Sequence, residues 1–165
     1  MVWLRGAFMA VALVATLTAL PAPALAQTSV TYSLAGVETA ATSTQGTFVG
    51  VAQSADDFAT WAAVIGHEPL DPSLDSVAIT GGTFALDGYV RDFEGVISGG
   101  EVVRLTNGRS CRNEKFDVTG SVILNTGELG LFQVTLTHYR QRVAGGGCVT
   151  FFATVEGLIT VTTAQ

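Results

Sequence analysis

Between residues 112 and 142 the sequence gathers Arg112, Glu114, His138, Arg140 and Arg142. The last three recur at every second position of LTHYRQRVAGGGC, residues 136 to 148. Alternate positions of an extended strand share one face, so an imidazole and two guanidiniums would line the same side. Guanidiniums present paired N–H donors that match a carboxylate or a phosphate. The chemistry these residue types suit is therefore recognition of an anionic or amphipathic small ligand. The competing reading is a solvated strand end with ordinary cross-strand charge pairs.

Other chemistry finds little support. His67 and Glu68, near Asp71 and Asp75, lie among Pro69 and Pro72, which mark a surface loop and fix no metal geometry. The two cysteines, Cys111 and Cys148, lack the spacing of a C-x-x-C redox motif or a zinc site. No G-x-S-x-G, phosphate-binding loop or dinucleotide fingerprint occurs, so no cofactor is expected. An enzyme ranks behind a binding module and behind a structural or interaction component of the cell envelope. Sites assembled from separated strands leave no linear trace, which keeps the enzyme reading in third place.

The elements that must position the cluster read as β-structure. Short β-branched and aromatic runs recur between glycine, asparagine and aspartate signals near 29–36, 45–53, 77–86, 89–97, 101–106, 115–124, 128–142 and 148–162. The pattern predicts a single antiparallel β-barrel or β-sandwich of about eight strands. In SADDFATWAAVIG, Phe58, Trp61, Ala62 and Ile65 also fit a helical template, so one short helix near 55–65 competes with a hairpin that turns at ADD. The glycine pairs in GGTFALDG and ISGGEVV suggest sharp turns or close backbone approach.

Register can be argued for the last three strands. Asn125-Thr126-Gly127 fits a three-residue hairpin loop, which sets Leu124 against Glu128, Val118 against Val134 and Glu114 against His138. Extended further, it sets Arg112 against Arg140. A turn at residues 144–147 would set Val143 against Cys148, Leu136 against Val155 and Arg140 against Phe151. The segment NGRSCRN must then leave the ladder for a Cys111–Cys148 disulfide to form, because next-but-one strands stand about 9.5 Å apart.

The first residues and the composition set the compartment. MVWLR, an apolar run and ALA at 24–26 form the three parts of a secretory signal peptide. Residues 27–165 are then a single β domain in the periplasm or outside the cell, with no stable membrane span. An oxidising compartment favours pairing the cysteines. Of 8 basic and 14 acidic residues the leader holds only Arg5, and the balance argues against nucleic acid. No Lys or Arg occurs between 27 and 90; those of the domain all lie from Arg91 to Arg142.

Overall fold

Alternation is the organising pattern of the chain. A computed structural model describes residues 27–164 apart from Pro72 and Gly108. The expected leader, residues 1–26, lies outside the described residues. Eight antiparallel strands, β1 (Gln27–Ala41), β2 (Gln45–Gln53), β3 (Phe58–His67), β4 (Ser76–Gly88), β5 (Asp92–Asn107), β6 (Glu114–Leu124), β7 (Leu129–Arg142) and β8 (Cys148–Ala164), close in chain order into a barrel. Each strand pairs with its neighbour in sequence, and β1 closes on β8 from Gln27↔Ala164 to Val37↔Thr154. Closure leaves no unpaired sheet edge, a real liability in a chain this rich in valine and threonine.

Paired residues traced once around the wall from Ser29 return to β1 at Ala40. That stagger tilts the strands and sets the bore of the barrel. One side chain in two points inward, and the core follows the period: Tyr32 and Leu34, Trp61 and Ala63, Phe116 and Val118, Val134 and Leu136 are all buried. Glu101 and Glu156 stand exposed on the outside part-way along their strands. The outer face mixes these carboxylates with exposed apolar side chains such as Val49, Val51, Leu131 and Leu158. Among the described residues no helix is long and apolar enough to cross a membrane.

The structure decides one open alternative and corrects two expectations. Residues 58–67 form a strand: Ala59, Trp61, Ala63 and Ile65 are buried alternately while Phe58 is exposed, so no helix forms near 55–65 and the hairpin alternative holds. The stretches 89–97 and 101–106 belong to one strand, β5, with a register shift between Ile97 and Gly99. The SGG sequence bends a strand instead of ending one. Gly82 (φ 155°) and Gly100 (φ 151°) lie in neighbouring strands, and an added Cβ would strike the carbonyls of Val64 and Thr119 respectively. Glycine is required there for both reasons. The second correction concerns the β7–β8 turn. Arg142 pairs with Cys148 and Arg140 with Thr150, because a bulge at Tyr139/Arg140 makes Phe151 an extra residue.

From Glu114 onward the remaining register stands as read. Val118 meets Val134, Glu114 meets His138 and Leu136 meets Val155. Gly127 has φ 88°, with Leu124 and Glu128 joined by a backbone hydrogen bond of 2.9 Å. Cys111 sits in a short turn, Arg109–Cys111, outside the ladder, and is joined to Cys148 with Cα atoms 5.4 Å apart.

The two ends of the barrel differ. At the base, where connections 54–57, 89–91 and 125–128 lie, buried Asp57 accepts hydrogen bonds from the Tyr32 hydroxyl at 2.8 Å, Val90 N–H at 3.1 Å and Arg91 N–H at 3.2 Å. The Arg91 guanidinium grips Asp56 at 3.0 and 2.7 Å. Burial would raise the Asp57 carboxyl, but the Tyr32, Val90 and Arg91 donors outweigh it and hold it below the usual carboxylate range. Arg91 holds Asp56 down at about 2. Burial and the same Asp57 contact push the Tyr32 phenol up. The opposite end is the mouth, formed by connections 42–44, 68–75, 108–113 and 143–147, and the disulfide joins the last two.

Two outcomes follow. Because the carboxylates of the base titrate lower when folded, their stabilisation is complete above about pH 4 and is lost as pH falls toward 2; Asp57→Asn should lower the melting temperature at neutral pH and flatten this acid limb. Reduction of Cys111–Cys148, whose residues are 37 apart in sequence, should cost about 4 kcal/mol in urea unfolding.

Candidate functional site

Between the Tyr32–Asp57 contact at the base and the mouth the interior is apolar. On β1 the inward series Tyr32, Leu34, Gly36 ends at Glu38, and on β7 the series Val134, Leu136 ends at His138. Closure of β1 on β8, with β7 on the far side of β8, brings these two ends together. His138 Nε2 lies 3.0 Å from Glu38 Oε2, with side chains 18% and 10% exposed. The His138 ring also stands edge-on to Phe116, centroids 5.4 Å apart. A polar pair held this far from water needs each other's hydrogen bond.

Beside this pair is a second group. Glu114 at the start of β6 forms ion pairs with Arg104 Nε at 3.3 Å from β5 and with Arg140 Nη1 at 3.8 Å from β7. Arg104 also lies over the Phe116 ring at 5.9 Å and donates to the Leu74 carbonyl at 3.2 Å, tying the 68–75 connection to the wall. Two carboxylates thus balance two guanidiniums, and the mouth is a nearly neutral polar collar instead of a bare cationic site.

A cavity of about 90 Å³ opens at this end. Leu34, Phe48, Trp61, Phe132 and Val134 form its deep wall, and Glu38, His138, His67, Gln45 and Thr42 stand at its rim. The Trp61 indole N–H is spent on the Val51 and Ala35 carbonyls at 3.0 and 3.3 Å, so the ring turns an apolar surface to the space. His67 Nδ1 lies 2.7 Å from its neighbour's carbonyl, Glu68 O. Among the described residues no group of three or more His, Cys, Asp or Glu could hold a metal ion.

The five residues singled out in the sequence separate into three places. Glu114, His138 and Arg140 come together at the mouth, but only His138 lines the cavity. Arg142 is exposed at the end of β7. Arg112 is exposed in the 108–113 connection and never reaches the ladder opposite Arg140, since β6 begins at Glu114. Phe151 does not pair with Arg140 either; the bulge sets Thr150 opposite Arg140 and leaves Phe151 64% exposed.

Sequence reasoning missed Glu38 and Arg104. The signal for each was parity: Glu38 continues the inward series of Tyr32 and Leu34, and Arg104 continues that of Val102. What the parity alone could not supply was the partner strand. Comparison with protein-family models, curated proteins and solved structures gave no match, so the site is interpreted from its own geometry.

Coupling provides a check. A double-mutant cycle on Glu38→Ala and His138→Ala, followed by urea unfolding, should give an interaction energy of about 0.5–3 kcal/mol, whereas Arg112→Ala and Arg142→Ala should add within about 0.5 kcal/mol.

Proposed function

We propose that this protein is a small exported binding module that takes an amphipathic small molecule into the mouth of its barrel. The observation that carries the reading is the cavity, apolar in depth and rimmed by the Glu38–His138 pair, His67 and Gln45. Ligand sites combine an apolar wall with a few placed polar groups in this way, and the mouths of β-barrels are a preferred location. At about 90 Å³ the space is well below the few hundred Å³ of a drug-sized pocket and suits a slender hydrocarbon chain. The polar head would rest at the rim. Export is supported by the leader-like opening of the sequence and by the disulfide.

The near-neutral collar refines the choice of head group. Arg104 and Arg140 are engaged with Glu114 and His138 with Glu38, so a ligand anion would compete with resident carboxylates. The geometry therefore favours an amphipathic molecule over a small free anion.

Within residues 27–165 Trp61 is the sole tryptophan, and it lines the cavity, so its fluorescence reports occupancy. Octanoate, octanol and octylamine should be titrated in parallel. At least one should change Trp61 emission and raise the melting temperature. Ala63→Leu, which fills the cavity, should abolish the response, and His138→Ala should weaken it about tenfold, roughly the worth of one hydrogen bond to a buried head group. Equal responses in wild type and Ala63→Leu would reject an interior site.

A further inference from the structure

We propose that the disulfide-linked side of the mouth docks on an anionic lipid surface, with the β7–β8 hairpin tip entering the interface. The inference goes beyond the cavity reading and does not need it.

The first observation is an apolar arc. Phe151 is 64% exposed, and Phe152, Val149 and Val143 are exposed around it. Tyr139 stands beside Phe152 with ring centroids 5.9 Å apart, and Leu105 on β5 is exposed at the same end. The bulge that breaks the pairing of Arg140 with Phe151 is what frees the Phe151 ring. Exposed phenylalanines in a cluster mark an interaction surface, and aromatic rings beside arginines suit the boundary between headgroups and acyl chains.

The second observation is the distribution of charge. Outside the leader there are seven basic residues; Arg104, Arg109, Arg112, Lys115, Arg140 and Arg142 belong to the mouth halves of β5 to β7 and to the 108–113 connection, and Arg91 alone to the base. Glu101, Glu114 and Asp117 share those mouth halves, so six bases against three acids leave a surplus of three positive charges there, while Asp56, Asp87, Asp92, Glu94 and Glu128 crowd the base. The protein as a whole is acidic, so an anionic surface repels the base and attracts this one side of the mouth. Arg112 and Arg142 are held near each other through the disulfide, because Arg142 pairs with Cys148 and Arg112 follows Cys111. Both are exposed.

Two weak signals, a few basic side chains and a small apolar insertion, are together enough for reversible attachment to a bilayer. A lipid surface is favoured over an acidic protein by shape. The 143–147 tip is exposed throughout and turns through Gly145 and Gly146 (φ 99° and 90°), so it projects as a hairpin end and offers no groove for a partner's side chains. Glu68, Asp71 and Asp75 occupy the 68–75 connection, which keeps that part of the rim away from an anionic surface and leaves the cavity opening at the edge of the footprint.

All eight strands lie within residues 27–165, and this chain serves for sedimentation with vesicles of phosphatidylcholine alone or mixed with phosphatidylglycerol. Binding is expected with the mixed vesicles only and should fall with salt. Phe151→Ser/Phe152→Ser and Arg112→Glu/Arg142→Glu change exposed side chains; each pair should weaken binding by at least about tenfold while the melting temperature and circular dichroism stay as in wild type. Absence of binding to both vesicle types, equal binding to both, or undiminished binding of the variants overturns the proposal. A variant that loses folding is replaced by Phe152→Thr or Arg142→Gln, judged by the same criterion. An octanoate response in the absence of vesicle binding would leave the cavity reading intact, and the converse would leave the docking surface intact.

Discussion

The pairing of β1 with β8 is the constraint on which the rest of the molecule depends. Eight hairpin-linked strands with this stagger meet edge to edge, and the free row of N–H and C=O groups on the last strand is satisfied by the first. Inward side chains from opposite walls then face each other across a narrow bore. Glu38 and His138, a hundred residues apart in sequence, become neighbours only through that seam. The tilt imposed by the stagger also decides which inward residue of each strand reaches the mouth.

Closure treats the two ends differently because their side chains differ. At the base, Tyr32 and Asp57 meet inside the bore and the backbone of the 89–91 connection folds over them. Buried donors and acceptors are satisfied mutually, so that end is sealed at low cost. At the mouth the polar residues sit on the wall, and four connections leave a space between them. The disulfide braces two of those connections without crossing the opening.

How much of this could be read in the sequence depended on chain distance. Short loops carry their own geometry: Asn125-Thr126-Gly127 fixed the β6–β7 register, and apolar parity extended it to Leu136 and Val155. The need for NGRSCRN to leave the ladder followed from strand spacing and the disulfide. Long-range closure has no local signature, which hides Glu38, and the register shift after Arg104 on β5 hides that residue's place beside Glu114. Residues 58–67 left helix and hairpin open because Phe58, Trp61, Ala62 and Ile65 fit the helical period while Ala59, Trp61, Ala63 and Ile65 fit the strand period, and only the pairing partners of a barrel wall choose the second set. The bulge at Phe151 was invisible for a different reason: one extra residue changes every later pairing on its strand while leaving composition and alternation nearly intact.

The seam also brings Gln27 opposite Ala164, so the first and last strands finish side by side at the sealed end. Order along the polypeptide is consequently incidental to the architecture. A short linker could join those two positions, and the ring could be cut instead at any exposed hairpin, because the wall remembers which strand lies next to which and not where synthesis began.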